Sequence, residues 1–215
     1  MTNAPDRAAR RALLALTGGV LTLAALPVGA QTPQAGVRPV MPAQPTETPG
    51  KIEVLEFFWY GCPHCFSLES ALKDWTARLP ADVVFRKVHV GLGPSWVPHQ
   101  QLFYTLESMG KAATLSPVVF QALHVDRNPL SRPEAMADLL ARHGVDRQQF
   151  LDTYKSFAVR TRVSKASATA EAYRLDGVPA FAVNGKWFTS PSMAGGNVQA
   201  LRLLDQLIER ERKGG

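Results

Sequence analysis

The hydrophobic pattern from residue 51 onward first predicts a strand and then a helix. Ile52 to Trp59 is apolar on both faces apart from two glutamates, as expected for a central strand of a covered sheet. Apolar residues then recur at helical spacing, which predicts an amphipathic helix that begins at Pro63 and ends before Pro80: Leu68, Leu72, Trp75 and Leu79. Val83 to Val90 is a second predicted strand, so the three segments form a strand–helix–strand unit.

From residue 94 to residue 169 the pattern predicts helices only. One helix is marked by its apolar spacing and closed by Gly110, and another covers Ala112 to Asp126: the first carries Leu102, Leu106 and Met109. Two capping boxes predict further helix starts, namely Ser131 with Glu134 and Asp146 with Gln149. The helix after Asp146 is expected to carry Phe150, Tyr154 and Phe157, and one more helix to reach about Leu175.

The C-terminal part returns to strands before a last helix. The stretch VPAFAVNGKWF predicts a β-hairpin that turns at Asn184–Gly185. Asn197 is the predicted cap of a helix that bears Leu201, Leu204 and Ile208. The chain therefore reads as an α/β protein with the order βαβ, a helical block, then ββα.

The first 50 residues carry no such pattern. Residues 1–30 combine a basic start, an uncharged apolar run from Ala12 to Leu26 and small residues at Val28 to Ala30, which together indicate a cleavable secretory signal peptide. The pair Arg10–Arg11 also suits twin-arginine export, so the export route stays open. Residues 31–50 hold five prolines and are interpreted as an extended linker. The formal net charge of +6 includes no concentrated basic run, so nucleic-acid binding is not indicated.

The chain has only two cysteines, Cys62 and Cys65, in the sequence CPHC. A structural disulfide, a zinc site and a redox-active pair are the alternatives. Closing a four-residue loop stabilises a fold by about 2 kcal/mol, against about 4.7 kcal/mol for a 100-residue loop, so a disulfide selected for stability would join distant segments. Zinc lacks a second ligand cluster in the sequence. The spacing therefore favours redox chemistry.

The position of the motif supports this interpretation. Cys62 stands where a strand ends and a helix begins, so unpaired N–H groups and the helix dipole stabilise a thiolate there. Pro63 suits the first helical turn, where a missing N–H costs nothing. His64 can donate to the same sulfur or, when protonated, attract it. We expect Cys62 to be the exposed attacking thiol and Cys65 the sheltered resolving thiol.

Three features together resemble the DsbA family of the thioredoxin superfamily: LEFFWYGCPHC, the hairpin sequence GVPAFAVNGK and the interposed helical block. The resemblance covers the chain from about residue 51. It implies a thioredoxin fold interrupted by an inserted helical domain, with residues 51–93 and 170–212 in the thioredoxin-like part and residues 94–169 in the insertion. It also implies a Cys62–Cys65 disulfide that is donated to other proteins, without a cofactor.

The same resemblance gives roles to four residues outside the motif. Pro179 occupies the position of the family's cis-proline, which leaves the backbone of Val178 available to pair with an extended substrate peptide. Glu56 has apolar neighbours on its strand face, so its pKa should be raised. In the family an acid at this position shuttles the proton of the buried cysteine, and a lysine on the adjacent strand, here Lys87, accompanies it. A buried Glu–Lys pair with no catalytic part stays the alternative.

The predicted function is that of a periplasmic disulfide oxidase. Its expected partners are unfolded secreted proteins with free thiols and an inner-membrane quinone reductase of the DsbB type, and we expect a monomer. The linker leaves no room for an N-terminal dimerisation module, which weakens the case for an isomerase. An isomerase or reductant, and a non-catalytic peptide-binding chaperone, are the alternatives. The remaining histidines are expected to be surface or packing residues, and the roles of Trp59 and Tyr60 stay open: His89, His99, His124 and His143.

Overall fold

The computed structural model describes residues 34–214 of the 215-residue chain. These residues form five strands, β1 (Arg38–Pro39), β2 (Ile52–Phe58), β3 (Val83–His89), β4 (Ala180–Val183) and β5 (Trp187–Thr189). The helices are α1 (Pro63–Thr76), α2 (Val97–Ser108), α3 (Ala112–His124), α4 (Pro133–Ala141), α5 (Arg147–Tyr154), α6 (Phe157–Ala172), α7 (Pro191–Ala194) and α8 (Asn197–Gly214). Among these described residues, no helix has the length and hydrophobicity needed to cross a bilayer.

The five strands form one mixed sheet in the order β1-β5-β4-β2-β3. β2 lies between two neighbours, parallel to β3 and antiparallel to β4. The parallel register sets Glu56 beside Lys87, and the antiparallel register sets Glu56 beside Phe181. The strand predicted to be central from its near-continuous apolar run is thus paired on both sides.

The two faces of the sheet pack against different helices because successive side chains of a strand point to opposite faces. Val54, Phe181 and Val183 pack with α1 and α8 in one apolar cluster. Leu55 and Phe57 pack in a second cluster with the helices between Val97 and Ala172. The chain therefore has the thioredoxin arrangement of βαβ and ββα segments, and the helical insertion covers one face of its sheet.

The linker interpretation of residues 31–50 was wrong for the residues around β1. Arg38 pairs with Phe188 of β5, and the N–H of Val40 donates to the carbonyl of Lys186 at 2.8 Å. The Arg38 guanidinium also lies 3.8 Å from the Phe188 ring centre, and Val40 is buried. The prolines had suggested an unpaired extended segment, but an extended backbone is also what an edge strand requires, and Pro39 at the sheet edge is compatible with it.

Two predicted helix boundaries were also wrong. Arg132, rather than Ser131, precedes α4, and no side chain caps that helix. Phe157 begins α6 instead of continuing α5, and it is 76% exposed. The local signals that do match are the cap at Asp146, whose carboxylate accepts from the Gln149 N–H at 2.7 Å, and the turn at Asn184–Gly185, where both residues have positive φ.

Candidate active site

A tight turn carries the chain from β2 into α1 and sets the position of Cys62. The N–H of Cys62 donates to the carbonyl of Trp59 at 3.0 Å, which closes the turn. Gly61 is required in this turn because a Cβ there would lie 2.3 Å from the indole of Trp59. Cys62 then takes the N-cap position of α1 with extended backbone angles, and Pro63 occupies the first helical turn. The motif thus sits at a helix N-terminus, as the sequence predicts.

The sulfur of Cys62 accepts hydrogen bonds that favour its thiolate form. The pKa of Cys62 is lowered to about 6 by a hydrogen bond from the Cys65 thiol, then by the backbone N–H groups of Cys65 and His64 and by the charge of His64, against the opposing effect of burial. The Cys65 N–H lies 3.4 Å from Cys62 Sγ. The side chain of His64 is exposed, and His64 lowers the pKa of Cys62 through its backbone N–H and its charge.

The sequence predicted an exposed Cys62 and a sheltered Cys65, but the structure shows a much smaller difference in exposure. Both thiols are free, but Cys62 is 6% exposed and Cys65 is 0% exposed, so both count as buried. Cys62 is covered because the segment before β4 lies against it, with the carbonyl of Val178 3.4 Å from its sulfur. Burial, followed by the hydrogen bond and charge of Cys62, raises the pKa of Cys65. The two cysteines are separated by their pKa values more than by their exposure.

Val178 and Pro179 face the motif from the other side. The peptide bond between them is cis. The thiol of Cys62 donates to the carbonyl of Val178, which is half-buried at the edge of the site. A backbone group beside the reacting sulfur is well placed to pair with an extended peptide that approaches Cys62.

A cluster of three charged side chains, Glu56, Lys87 and Glu69, lies beneath the motif. Glu56 is 0% exposed, and Lys87 Nζ is 3.2 Å from its Oε2 in a contact without hydrogen-bond geometry. The ammonium instead donates to Glu69 Oε1 at 2.5 Å. Burial raises the pKa of Glu56 to about 7 in spite of the Lys87 charge, and the charges of Glu69 and Cys62 act in the same direction as burial. Burial would lower the pKa of Lys87, but the charges of Glu56 and Glu69 raise it.

The comparisons with known proteins agree with this geometry. A family model described as a DSBA-like thioredoxin domain matches residues 96–207. The thiol:disulfide interchange protein DsbA of Pseudomonas aeruginosa is 48% identical over 168 residues, which cover 78% of this chain and 80% of that protein. The protein of the same name from Bordetella pertussis is 45% identical over 204 residues, covering 94% and 97%. The chain belongs to the DsbA family.

Structural comparison gives the same family. The crystal structure of Pseudomonas aeruginosa DsbA superposes with a TM-score of 0.81 at 44% identity, and the match covers 84% of this chain and 94% of that one. The DsbA of Xylella fastidiosa superposes with a TM-score of 0.79 at 31% identity. The protein is thus a DsbA-type thiol:disulfide oxidoreductase with a thioredoxin fold and a helical insertion.

This DsbA-type site contains residues that the sequence did not single out. Glu69, one turn beyond Cys65 on α1, holds the ammonium of Lys87. The sequence predicted His89, His99 and His124 to be surface or packing residues, and in the structure all three hydrogen-bond to the segment Trp59–Tyr60. Of the four histidines outside the CPHC motif, all within the described residues, His143 is exposed and makes no such hydrogen bond. The helical spacing of Glu69 from Cys65 was a usable signal, whereas nothing local distinguishes the histidines.

Trp59 also joins the thioredoxin-like part to the helical insertion. Its indole stacks on Trp96 with ring centres 4.2 Å apart and planes 6° apart. Its Nε1–H donates to His99 Nδ1 at 3.0 Å. The other nitrogen of His99 donates to the carbonyl of Pro129 at 2.9 Å, which fixes the neutral tautomer. Within residues 34–214, no three His, Cys, Asp or Glu side chains are grouped to hold a metal ion.

Proposed function

We propose that this enzyme is a periplasmic oxidase that donates a Cys62–Cys65 disulfide to newly exported proteins. The observation that carries the proposal is the separation of the two thiol pKa values, with Cys62 lowered to about 6 and Cys65 raised. A low pKa makes Cys62 a good leaving group, and stabilising its thiolate favours the reduced enzyme over the disulfide. Both effects drive the disulfide toward the substrate.

The reaction then runs in two thiol–disulfide exchanges. A substrate thiolate attacks Sγ of Cys62, the Cys62–Cys65 bond breaks, and Cys65 leaves as a thiolate that takes up a proton. The second substrate thiolate attacks the substrate sulfur of the mixed disulfide and expels Cys62 as a thiolate. Two electrons pass from the two substrate thiols to the enzyme disulfide, so the substrate is oxidised and the enzyme is reduced.

In this scheme Glu56 supplies the proton that the buried Cys65 takes up. A thiolate at Cys65 is disfavoured by burial, and the negative charge of Glu56 disfavours it further. A carboxyl group with a pKa of about 7 carries a proton in part of the molecules at neutral pH. The Lys87 ammonium then stabilises the Glu56 carboxylate that is left, at 3.2 Å from its Oε2, while Glu69 holds the ammonium in place.

The substrate is bound as an extended peptide beside the cis-proline loop. The backbone of Val178 pairs with the peptide, while Pro179 lacks an N–H and cannot compete for the same groups. His64 and Pro63 flank the reacting sulfur on the exposed side of the motif. Backbone pairing is tolerant of side chains, which suits an enzyme whose substrates are unfolded proteins of many sequences.

The remaining steps involve the cell envelope. Residues 1–30, the proposed signal peptide, lie outside the described residues, so export rests on the sequence pattern alone. We place the mature monomer in the periplasm, where an inner-membrane quinone reductase of the DsbB type accepts electrons from the reduced dithiol. The division into residues 51–93 and 170–212 for the thioredoxin-like part and 94–169 for the insertion belongs to the same proposal.

The equilibrium of the cysteine pair with glutathione tests the oxidase function. The cysteine pair of a strong oxidant stays reduced unless oxidised glutathione is in large excess over reduced glutathione. The pair of an isomerase or reductant becomes oxidised at a much lower ratio of oxidised to reduced glutathione. An equilibrium constant like that of a structural disulfide would contradict the proposal.

Two variants separate the enzyme from a peptide-binding chaperone. Cys62→Ser should abolish oxidation of a reduced, unfolded substrate. In Cys65→Ser the Cys62 thiolate can still attack a substrate that already holds a disulfide, expelling one substrate thiolate, and the mixed disulfide should accumulate because no Cys65 thiol is present to release Cys62. If Cys62→Ser still suppresses aggregation fully and the parent oxidises nothing, the protein is a chaperone instead.

A further inference from the structure

Tyr60, the second residue of the turn before Cys62, is bound by three residues that are distant in sequence. Its N–H donates to His89 Nε2 at 3.1 Å, and its carbonyl accepts from His124 Nε2 at 2.7 Å. Its hydroxyl lies 2.6 Å from Ser116 Oγ. We call His89, Ser116 and His124 the Tyr60 anchor. β3 supplies the first of these residues and α3 of the helical insertion supplies the other two.

His124 contacts the chain on both sides of the CPHC motif. Besides its hydrogen bond to Tyr60, its ring stacks on Phe66, with ring centres 4.7 Å apart and planes 6° apart. Phe66 directly follows Cys65, and Tyr60 stands two residues before Cys62. One side chain of the helical insertion therefore connects the turn that enters the motif to the helix that leaves it.

The turn matters for the thiolate because it sets the direction of the Cys62 side chain. Tyr60 and Gly61 are the two central residues between Trp59 and Cys62, which are joined by the 3.0 Å hydrogen bond. Only with Cys62 in its N-cap position does its sulfur receive the Cys65 N–H. In the disulfide a covalent bond would hold the same sulfur, so loss of order in the turn weakens the reduced form more than the oxidised form.

We infer that His124 is a positioning residue for Cys62, through which the helical insertion sets the stability of the thiolate. Among the described residues its side chain makes no hydrogen bond to the reacting sulfur or to the peptide-binding loop, and it acts by fixing the carbonyl of Tyr60. The oxidising strength of the disulfide then depends on a contact between the two parts of the fold. The inference rests on the proposed oxidase function.

The experiment compares His124→Leu and His124→Gln with the parent enzyme. Leucine fills the space beside Phe66 without a donor, whereas the glutamine amide can still donate to the Tyr60 carbonyl. Since one such hydrogen bond contributes about 1 kcal/mol, His124→Leu should shift the glutathione equilibrium about fivefold toward the disulfide and raise the pKa of Cys62. His124→Gln should stay within about twofold of the parent. His143→Leu, an exposed histidine of the same insertion, is the matched control.

The readouts distinguish a positioning residue from a structural one. If His124→Leu lowers the melting temperature but leaves the Cys62 pKa and the glutathione equilibrium unchanged, the inference is overturned. It is also overturned if His124→Gln behaves like His124→Leu. Should the leucine variant fail to fold, the shorter amide of His124→Asn replaces it and must differ from His124→Gln. A parent that is not oxidising defeats the proposed function, and the Cys62 pKa alone then decides the role of His124.

Discussion

At the scale of single residues, the chemistry of this protein depends on how differently it treats like groups. Two thiols one helical turn apart have pKa values shifted in opposite directions, because one accepts the hydrogen bonds of a helix N-terminus and the other is enclosed. Two buried glutamates of β2 differ in their hydrogen bonds. Glu53 is bonded to Arg86 at 2.8 Å, whereas Glu56 has no hydrogen bond among the described residues. An acid that is buried but weakly bonded is suited to gain and lose a proton.

Replacing Glu56 by glutamine should slow the first exchange step, in which Cys65 leaves the enzyme disulfide. We expect a decrease of roughly tenfold to a hundredfold, because glutamine keeps the shape but cannot supply a proton. The ratio of parent to variant rates should fall as the pH rises through about 7, where Glu56 loses its proton. Stopped-flow measurement of mixed-disulfide formation across pH gives both quantities.

Glu53→Gln is the control, since Glu53 is equally buried on the same strand but points to the opposite face. It should leave the rate of the first step unchanged in the folded enzyme. Equal slowing by both substitutions would mean that the effect comes from a disturbed strand, and Glu56 would then be structural only.

At the scale of elements, hydrogen bonds at helix ends and turns fix where segments begin. Asp146 caps α5 through the Gln149 N–H, and Glu211 of α8 binds the hairpin between β4 and β5. Three groups donate to that one carboxylate: Asn184 Nδ2 at 2.6 Å, Lys186 Nζ at 2.7 Å and Trp187 Nε1 at 2.7 Å. The hairpin turn is thus held by its own backbone preference and by the last helix.

The two predicted capping boxes should respond differently to alanine. Asp146→Ala should lower the free energy of unfolding by about 1 kcal/mol, because the N-terminal N–H groups of α5 lose their acceptor. Ser131→Ala should change it by less than about 0.5 kcal/mol, since Ser131 caps nothing. Urea denaturation of both variants measures the difference, and an equal loss at the two positions would contradict the assignment of the caps.

Glu211→Gln should destabilise the fold by about 1–3 kcal/mol at neutral pH, because charged hydrogen bonds to the hairpin are weakened. Burial would raise the pKa of Glu211, but its three donors lower it below the ordinary 4.5. The contribution of a lowered acid is present above the unfolded pKa and is lost as the pH falls through the folded one. The gap between parent and variant in urea denaturation should therefore close in acid.

Glu209→Gln is the matched control on the same helix, since Glu209 is exposed and its one ion pair within residues 34–214 is with Arg212. An exposed pair of this kind contributes little to stability. A loss at position 209 as large as the loss at position 211 would mean that the hairpin contacts are not the cause.

At the scale of the whole molecule, the fold and the redox state are linked through the active-site turn. The βαβ unit carries the motif, the ββα unit brings Val178 and Pro179 against it, and the helical insertion holds Tyr60 from behind. A disulfide stabilises the oxidised fold through the loop it closes, and a thiolate stabilises the reduced fold through its hydrogen bonds. Which form is more stable depends on pH, because only the second effect titrates.

The reduced and oxidised forms should exchange their order of stability near pH ~7.5. The disulfide favours the oxidised form by about 2 kcal/mol at all pH values. The folded pKa of Cys62, about 6, lies below the unfolded value, so the thiolate gain is fully present above the unfolded pKa and vanishes as the pH falls through 6. Between the two values the gain grows by about 1.4 kcal/mol per pH unit.

Scanning calorimetry of both redox forms from pH 5 to pH 9 measures this order. The oxidised form should melt higher in acid and the reduced form should melt higher in mild alkali. A reduced form that is already the more stable one at pH 5 would mean that another group, beyond the Cys62 thiolate, stabilises the dithiol.

The sequence by itself determined the features that depend on neighbouring residues. The apolar run of β2, the start of α1 at Pro63, the cap at Asp146 and the turn at Asn184–Gly185 all follow from side chains within a few positions of each other. The family was predictable for the same reason, since CPHC at a strand–helix junction and VPA before a hairpin are local motifs. Local signals suffice where the backbone preference and the pattern agree.

Only the tertiary structure decided the features that join distant segments. Val40 is buried against β5, Glu69 meets Lys87 across a helix–strand contact, and His124 reaches Tyr60 from 64 residues away. The cover of Val178 over Cys62 is another such contact, and it made the reacting thiol more buried than its position in the motif had suggested. No periodicity or spacing encodes these pairs, because each depends on how the sheet and the helical insertion bring together parts of the chain that are remote in sequence.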